Sequence, residues 1–236
     1  MRTVSRWRAR RHQRPGHATD VWAVVSALLD YPTAELIGSL DEVVPVIRAL
    51  PPECGVPLAR LADYLRATEL RSAQELYVET FDHTRRCSLY LTYFTYGDTR
   101  RRGVALVEFK QAYRRGGVEW DDATTDSELP DHLCAVLQFG ALHDPDGAWT
   151  LLLQHRAGVE TLRRALAERD DGAGSPWHNA LIALCATMPE LSGDDENAIQ
   201  RLIEQGPPEE EVGLAPYADP AVAASPMPGW TNGERR

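Results

Sequence analysis

The chain has 236 residues, a formal net charge of −10, and 43% hydrophobic and 25% charged residues. This length supports one domain with a substantial core, or at most two small ones. The balance of residue types is that of a soluble globular protein, and the negative charge argues against nucleic acid as a partner and favours a basic peptide.

The N-terminal residues combine six arginines with an apolar run at positions 21–29, a pattern that mimics a twin-arginine signal. Asp20 and Asp30 bracket the run, however, and no A-x-A cleavage site follows it. We therefore predict a flexible basic arm over residues 1–18 and then a first core helix. Since no stretch approaches 18 uninterrupted apolar residues, we expect no direct insertion into a membrane.

Helical spacing of apolar residues continues through the first half of the chain. A second helix is predicted from Thr33, with Pro45 splitting it, and a proline-rich loop is predicted at positions 51–57. A third helix follows the loop, and Ser72 is the predicted cap of a fourth.

The second half of the chain has the same organisation. One helix is predicted to end at Gly116 and another to start at Pro130, and a long helix is predicted between Gly147 and Gly172. Two further helices follow, and the last of them is predicted to end at Gly206.

The predicted architecture is a helical bundle. Residues 19–206 predict an all-α single domain of eight to ten helices. Residues 207–236 are rich in proline and offer little that forms a core, so they predict a flexible tail. The four cysteines, at positions 54, 87, 134 and 185, include no C-x-x-C pair, which predicts free thiols in a reducing cytoplasm.

The segment LYLTYFTYGDTRRRG at positions 89–103 begins with residues typical of a strand. A lone strand in an all-α chain has no partner for its backbone groups, so we predict a helix with an aromatic face. Gly97 is expected to end this helix, and Asp98 or Thr99 to cap the next. The arginines at positions 100–102 then lie in a first helical turn, where the helix dipole disfavours cations. This placement predicts a buried carboxylate partner or a ligand.

The sequence indicates neither a catalytic nor a metal site. It contains no nucleotide-binding, serine-hydrolase or zinc-protease motif, and DPDG at positions 144–147 is interpreted as a turn. His132 and Cys134 point in different directions on a helix, which argues against metal binding. A hydrolase using His132 with Asp131 is the enzyme alternative, but no motif supplies its nucleophile.

Two acidic and aromatic motifs are more informative. YVETFD at positions 77–82 places two aromatic side chains on one helical face with an acid beside them. ELPDHL at positions 128–133 predicts a helix start, with Pro130 first and Asp131 and His132 in the first turn. Asp131 either serves the helix dipole or meets a cationic group in a binding site where His132 reports on protonation.

Taken in order, YVETFD, LYLTYFTYGDTRRRGVAL, the helix end at positions 113–117 and ELPDHL resemble the NarJ family of TorD-like redox-enzyme chaperones. The resemblance covers about residues 21–216 and is strongest over 77–139. It implies an all-helical cytoplasmic protein that is not an enzyme, binds no cofactor permanently and acts in nitrate assimilation by unfolded-protein binding.

The implied partner is the catalytic (alpha) subunit of respiratory nitrate reductase, bound through its N-terminal peptide. The resemblance implies that this subunit is held until the molybdenum cofactor and the iron–sulfur centre are inserted, and only then docks at the membrane. The motif matches and the aromatic face give the candidate peptide contacts: Tyr77, Phe81, Asp82, Tyr90, Phe94, Asp98, Arg100, Arg102, Glu128, Pro130, Asp131 and His132.

Two alternatives remain open at the level of sequence. The same fold could serve another molybdoenzyme or a twin-arginine substrate. The chain could also be a helical interaction module with a partner outside redox biology.

Overall fold

A computed structural model describes residues 13–121, 128–169 and 174–208, so most of the predicted arm and tail lies outside the described residues. Eleven α-helices and one short 3-10 helix, Arg85–Cys87, occupy these ranges. In chain order the α-helices are α1 Ala18–Leu28, α2 Ala34–Ala49, α3 Pro52–Ala67, α4 Leu70–Phe81, α5 Leu91–Tyr96, α6 Arg100–Arg115, α7 Leu133–Leu142, α8 Pro145–Gln154, α9 Arg156–Ala167, α10 His178–Ala186 and α11 Gly193–Gln205. The all-α prediction is confirmed, with one helix more than the predicted maximum of ten in the described ranges.

Helix α1 lies at the centre of the bundle. Val21, Val25 and Leu28 recur at helical spacing and are fully buried, as is Trp22 beside them. Helices α2, α3, α7 and α10 pack around it. The Trp22 ring stacks against Trp149 of α8 with their centroids 6.1 Å apart. A helix buried on most of its surface thereby organises the core.

The prolines of α2 and α3 do not interrupt the helices, contrary to expectation. Pro45 lies inside α2 at an exposed position, where water can satisfy the carbonyl group that loses its helical hydrogen bond. The predicted loop at positions 51–57 is instead the first part of α3, because Pro52 occupies a position at which a helix needs no N–H donor. Gly55 lets α3 approach α2, since a Cβ atom there would lie 2.8 Å from the Ile47 carbonyl oxygen.

The predicted long helix between Gly147 and Gly172 is two helices. Asp144 caps α8 by accepting a hydrogen bond from the Gly147 N–H at 2.9 Å, so DPDG is a helix start. The break between α8 and α9 falls at His155, whose ring lies 5.2 Å from that of Phe109. His155 and Phe109 are far apart in the sequence, so local periodicity could not predict a break between helices at His155.

A buried carboxylate on α9 pairs with two arginines of the same helix. The Glu160 side chain is 3% exposed and accepts hydrogen bonds from Arg163 and Arg164. Burial acts to raise the pKa of Glu160, but these bonds outweigh it and lower the pKa below its usual value. Arg164 also donates to both oxygens of Glu196 at 2.9 Å, which fixes α11 against α9.

Candidate functional site

The two strongest motifs of the sequence meet through their backbones. The Leu91 N–H donates to the Asp131 carbonyl at 3.0 Å, and the Leu133 N–H donates to the Leu89 carbonyl at 2.8 Å. Residues 131–133 thus supply backbone partners for the extended residues 89 and 90, which a lone strand would lack. The helix predicted from position 89 therefore begins only at Leu91.

The predicted helix start at ELPDHL is also displaced. Helix α7 begins at Leu133, with His132 as its N-cap residue, so Pro130 and Asp131 precede the helix. Pro130 is buried and its carbonyl accepts a hydrogen bond from the Tyr113 hydroxyl at 2.5 Å. This hydrogen bond anchors the loop to the end of α6, where the Tyr113 ring also stacks on Trp120 with the centroids 5.3 Å apart.

Asp131 is fully buried beneath this junction. Its Oδ2 atom accepts hydrogen bonds from the Thr92 N–H at 2.9 Å and from the Thr92 hydroxyl at 2.5 Å. Thr92 is the second residue of α5, so the carboxylate satisfies an N-terminal donor of α5 rather than of α7. Asp131 thus stabilises a helix dipole, but that of a different helix from the one expected.

Arg102 is the cationic partner of this carboxylate. Its Nη2 atom lies 3.8 Å from Asp131 Oδ2, and its Nε atom donates to the Thr92 hydroxyl at 3.2 Å. The guanidinium also lies over the rings of Tyr90 and Tyr93, at 5.3 and 5.9 Å from their centroids, and within 3.2 Å of Asp98. A buried carboxylate therefore explains this arginine in the first turn of α6, whereas Arg100 is exposed at the molecular surface.

An acidic and aromatic cluster covers the buried network. Glu128 lies 3.2 Å from His132 Nδ1 through one oxygen and 3.4 Å from the Tyr90 hydroxyl through the other. Tyr90 and His132 pack edge to face at 5.4 Å. The Glu128 side chain is 51% exposed, so this carboxylate can meet a partner directly.

The protonation states of this cluster follow from burial. Burial lowers the pKa of His132, against the opposing effect of the Glu128 charge, so the imidazole is neutral at pH 7. Burial and the same carboxylate raise the pKa of Tyr90 to about 12, so its hydroxyl remains a donor. Glu128 is thus the charged and accessible member of the cluster.

The aromatic candidates of YVETFD lie in the core instead of on the surface. Tyr77 and Phe81 are 7% and 9% exposed, and both pack against Trp177, with ring centroids 5.3 and 5.7 Å away. The Tyr77 hydroxyl donates to the Leu29 carbonyl at 3.2 Å, whereas Asp82 is exposed at the end of α4. The two rings support α4 and do not face a peptide in this conformation.

Phe94 is likewise part of the core, with only 2% of its surface exposed. It packs against Gly158 of α9, where an added Cβ atom would lie 3.0 Å from the ring. The network also contains two residues that the sequence did not mark as candidates, Thr92 and Tyr93. Thr92 is a small residue in an aromatic run, and only its nonlocal contact with Asp131 reveals its role.

A groove runs along the exposed side of α4. It has a volume of about 740 Å³ and is lined by Tyr31, Arg71, Gln74, Glu75, Val78, Glu79 and His83. Tyr31 is 42% exposed and meets the buried Tyr77 edge to face at 5.5 Å. The charge of the preceding Asp30 acts to raise the pKa of both Tyr77 and His132.

Residues 13–121, 128–169 and 174–208 contain no group of three or more His, Cys, Asp or Glu side chains placed to hold a metal ion. Over the same ranges, no helix has the length and apolar character that crossing a bilayer requires.

Comparison with solved structures identifies the class of fold. The "Putative Redox Enzyme Maturation Protein" of Archaeoglobus fulgidus superimposes with a TM-score of 0.53 over 74% of this chain and 96% of that chain. Their sequences are 20% identical, so this likeness establishes the fold alone. The helical bundle therefore has the same fold class as that maturation protein.

The family is established by sequence comparison. The model of the nitrate reductase delta subunit family matches residues 47–182. The "Probable nitrate reductase molybdenum cofactor assembly chaperone NarJ" of Bacillus subtilis is 30% identical over 69% of this chain and 87% of its own length. The chain belongs to this family of NarJ-like assembly chaperones, which confirms the resemblance carried by the motifs.

Two further relatives match parts of the chain. NarJ of Escherichia coli K12 is 34% identical over 49% of each chain. The "Nitrate reductase-like protein NarX" of Mycobacterium tuberculosis is 37% identical over 71% of this chain. The match covers 24% of NarX, so this chain spans about a quarter of that relative's length.

Proposed function

We propose that this protein is the dedicated assembly chaperone of respiratory nitrate reductase. It binds the N-terminal segment of the catalytic subunit in the cytoplasm and holds that subunit competent for insertion of the molybdenum cofactor and the iron–sulfur centre before membrane docking. The names of the Bacillus subtilis and Escherichia coli relatives, both nitrate reductase molybdenum cofactor assembly chaperones, support this client and this cofactor. The chaperone itself retains no cofactor.

The observation that carries the proposal is the exposed carboxylate of Glu128, which contacts Tyr90 and His132 above the buried Asp131. The groove along α4 adds the apolar Val78 between Glu75 and Glu79, whose carboxylates also pair with Arg71 and Arg169. A basic peptide with one apolar face is the complement of such a surface. Nitrate assimilation and unfolded-protein binding are the corresponding roles in the cell.

The exposure of each candidate residue supports a division into direct and indirect contacts with the client. Glu128, His132, Tyr90 and Asp98 are at least partly exposed and are the direct contacts that we propose. Asp131 is buried, and we propose that it positions Tyr90 through Thr92 and Arg102. Tyr77, Phe81 and Phe94 pack in the core, and we propose that they support the site only indirectly.

Co-expression tests the identity of the client. The chain should co-purify with the nitrate reductase catalytic subunit and should lose it when the N-terminal segment of that subunit is deleted. Retention of the truncated subunit would contradict binding through that segment. Recovery of a different molybdoenzyme in place of nitrate reductase would keep the class of chaperone and replace the client.

A further inference from the structure

The outer face of α6 is an exposed stripe with a cationic end and an apolar middle. Val104 and Val107 are 70% and 49% exposed, although the opposite face of the helix is buried through Phe109 and Tyr113. Arg100 and Arg101 are exposed at the start of the same helix. Two exposed valines on one side of a helix form a surface that an apolar segment can cover.

The described part of the chain ends beside this stripe. Helix α11 stops at Gly206, which has a φ of 72°, and the next two residues lead to the junction of α5 and α6. There the Pro208 carbonyl occupies the position that a Cβ atom on Gly97 would take. Gly97 itself has a φ of 56°, so both the backbone and this approach require glycine. The segment that follows Pro208 therefore begins next to Gly97, which precedes Arg100 by three positions in the sequence.

The sequence that follows complements the stripe in order. Residues 209–211 are three glutamates, and Val212 and Leu214 come next. Three fully extended residues span about 11 Å, so the glutamates lie within that distance of Pro208. Arg100 is also three residues from Gly97, so the same limit applies to the distance between those two residues. Val107 lies about 10 Å farther along α6, within the span of about 20 Å that six extended residues give Leu214.

We propose that residues 209–214 bind the outer face of α6 within the same molecule. The three carboxylates pair with the arginines at positions 100 and 101, and Val212 and Leu214 cover Val104 and Val107. The contact at Gly97 raises the local concentration of this segment, so a modest interface is sufficient. This inference is independent of the identity of the client, because it concerns a surface outside the Glu128 cluster and the α4 groove.

Disulfide trapping in the full-length chain tests the proposal with a matched control. The variant Val107→Cys with Leu214→Cys should oxidise to an intramolecular disulfide at least about tenfold faster than Val56→Cys with Leu214→Cys. Val56 is 50% exposed on α3, almost the same as Val107, so the two cysteines differ mainly in location. Cys54, Cys87 and Cys134 are buried and Cys185 is half-buried, which keeps the native thiols slow to react.

Charge provides the second arm of the test. Replacing the glutamates at positions 209–211 with glutamine should slow trapping at Val107, and so should high salt, because both weaken the ionic pairing. Equal trapping rates at Val107 and Val56 would overturn the proposal. Trapping between two molecules in place of one would also overturn it, since the occupant would then be a second copy.

Discussion

Asp131→Asn removes a negative charge from a fully buried side chain while keeping its shape almost unchanged. The substituted amide oxygen can still accept a hydrogen bond from the Thr92 N–H, so the geometry of the α5 start is retained. The substitution removes the negative charge of the carboxylate. In the wild type this charge strengthens both hydrogen bonds from Thr92 and balances the nearby guanidinium of Arg102.

The magnitude follows from these contacts. A hydrogen bond to a charged group contributes about 1.5–3 kcal/mol and one between neutral groups about 0.5–1.5, so two bonds lose about 2 kcal/mol together. Arg102 keeps its contact with Asp98, which limits any further cost. We therefore expect the free energy of unfolding to fall by about 2 kcal/mol, and the melting temperature by about 4–8 °C for a domain of this size.

Urea denaturation of the purified protein measures the effect, with Asp82→Asn as the control. Asp82 belongs to the other acidic motif but is exposed, so its substitution should change stability by less than about 0.5 kcal/mol. If Asp131→Asn unfolds at the same urea concentration as the wild type, the carboxylate does not support α5 in the way described.

Three further changes test other parts of the fold. Burial lowers the pKa of His155 to about 4, so the folded state resists protonation of this imidazole. The stability contributed by the neutral imidazole is therefore lost as the pH falls from about 6.5 towards 4. His155→Gln should flatten this pH dependence in urea titrations. Gly55→Ala should cost about 1–3 kcal/mol by overpacking against α2, whereas Gly38→Ala, with open space around it inside α2, should stabilise by about 0.5–1 kcal/mol. Glu160→Ala removes the buried carboxylate that accepts hydrogen bonds from the partly exposed Arg163 and Arg164, and it should cost about 1.5–3 kcal/mol. Glu196→Ala, at the half-exposed end of the cluster, should cost less than about 1 kcal/mol, and thermal melts measure both.

Each of these has a result that would contradict it. An unchanged slope of stability against pH in His155→Gln would mean that this imidazole does not resist protonation in the fold. Equal effects of alanine at Gly55 and Gly38 would show that the α2–α3 approach does not require glycine. A mild effect of Glu160→Ala, equal to that of Glu196→Ala, would show that the buried position of the charge is unimportant.

Helix positions were largely predictable because they depend on local spacing and helix ends. The buried face of α1, the end of α6 at Gly116 and the end of α11 at Gly206 all follow the apolar spacing and the glycine positions of the sequence. The errors fall where tertiary contacts outweigh local preference. Pro45 remains inside a continuous helix, and His155 breaks a segment whose periodicity continues.

The motifs of the candidate site were predictable, but which of their residues are buried and which are exposed was not. The sequence indicated a buried carboxylate partner for the arginines of α6, and Asp131 is that partner for Arg102. Periodicity could not show that Asp131 is buried while Glu128 is exposed. The difference in burial arises because the residues next to Asp131 pair with the backbone around Tyr90, some 40 positions earlier. The same limit applies to Tyr77, whose aromatic ring suits a groove as well as a core.

Calorimetric titration with the N-terminal peptide of the nitrate reductase catalytic subunit tests the central claim most directly. The wild-type protein should bind this peptide, and Glu128→Gln should bind it about 10–100-fold more weakly, as expected from loss of a charge-assisted hydrogen bond of about 1.5–3 kcal/mol. Glu42→Gln, which removes an exposed charge from α2, should bind like the wild type. Absence of binding by the wild type, or equal affinity in Glu128→Gln and Glu42→Gln, would contradict a client site at the Glu128 cluster.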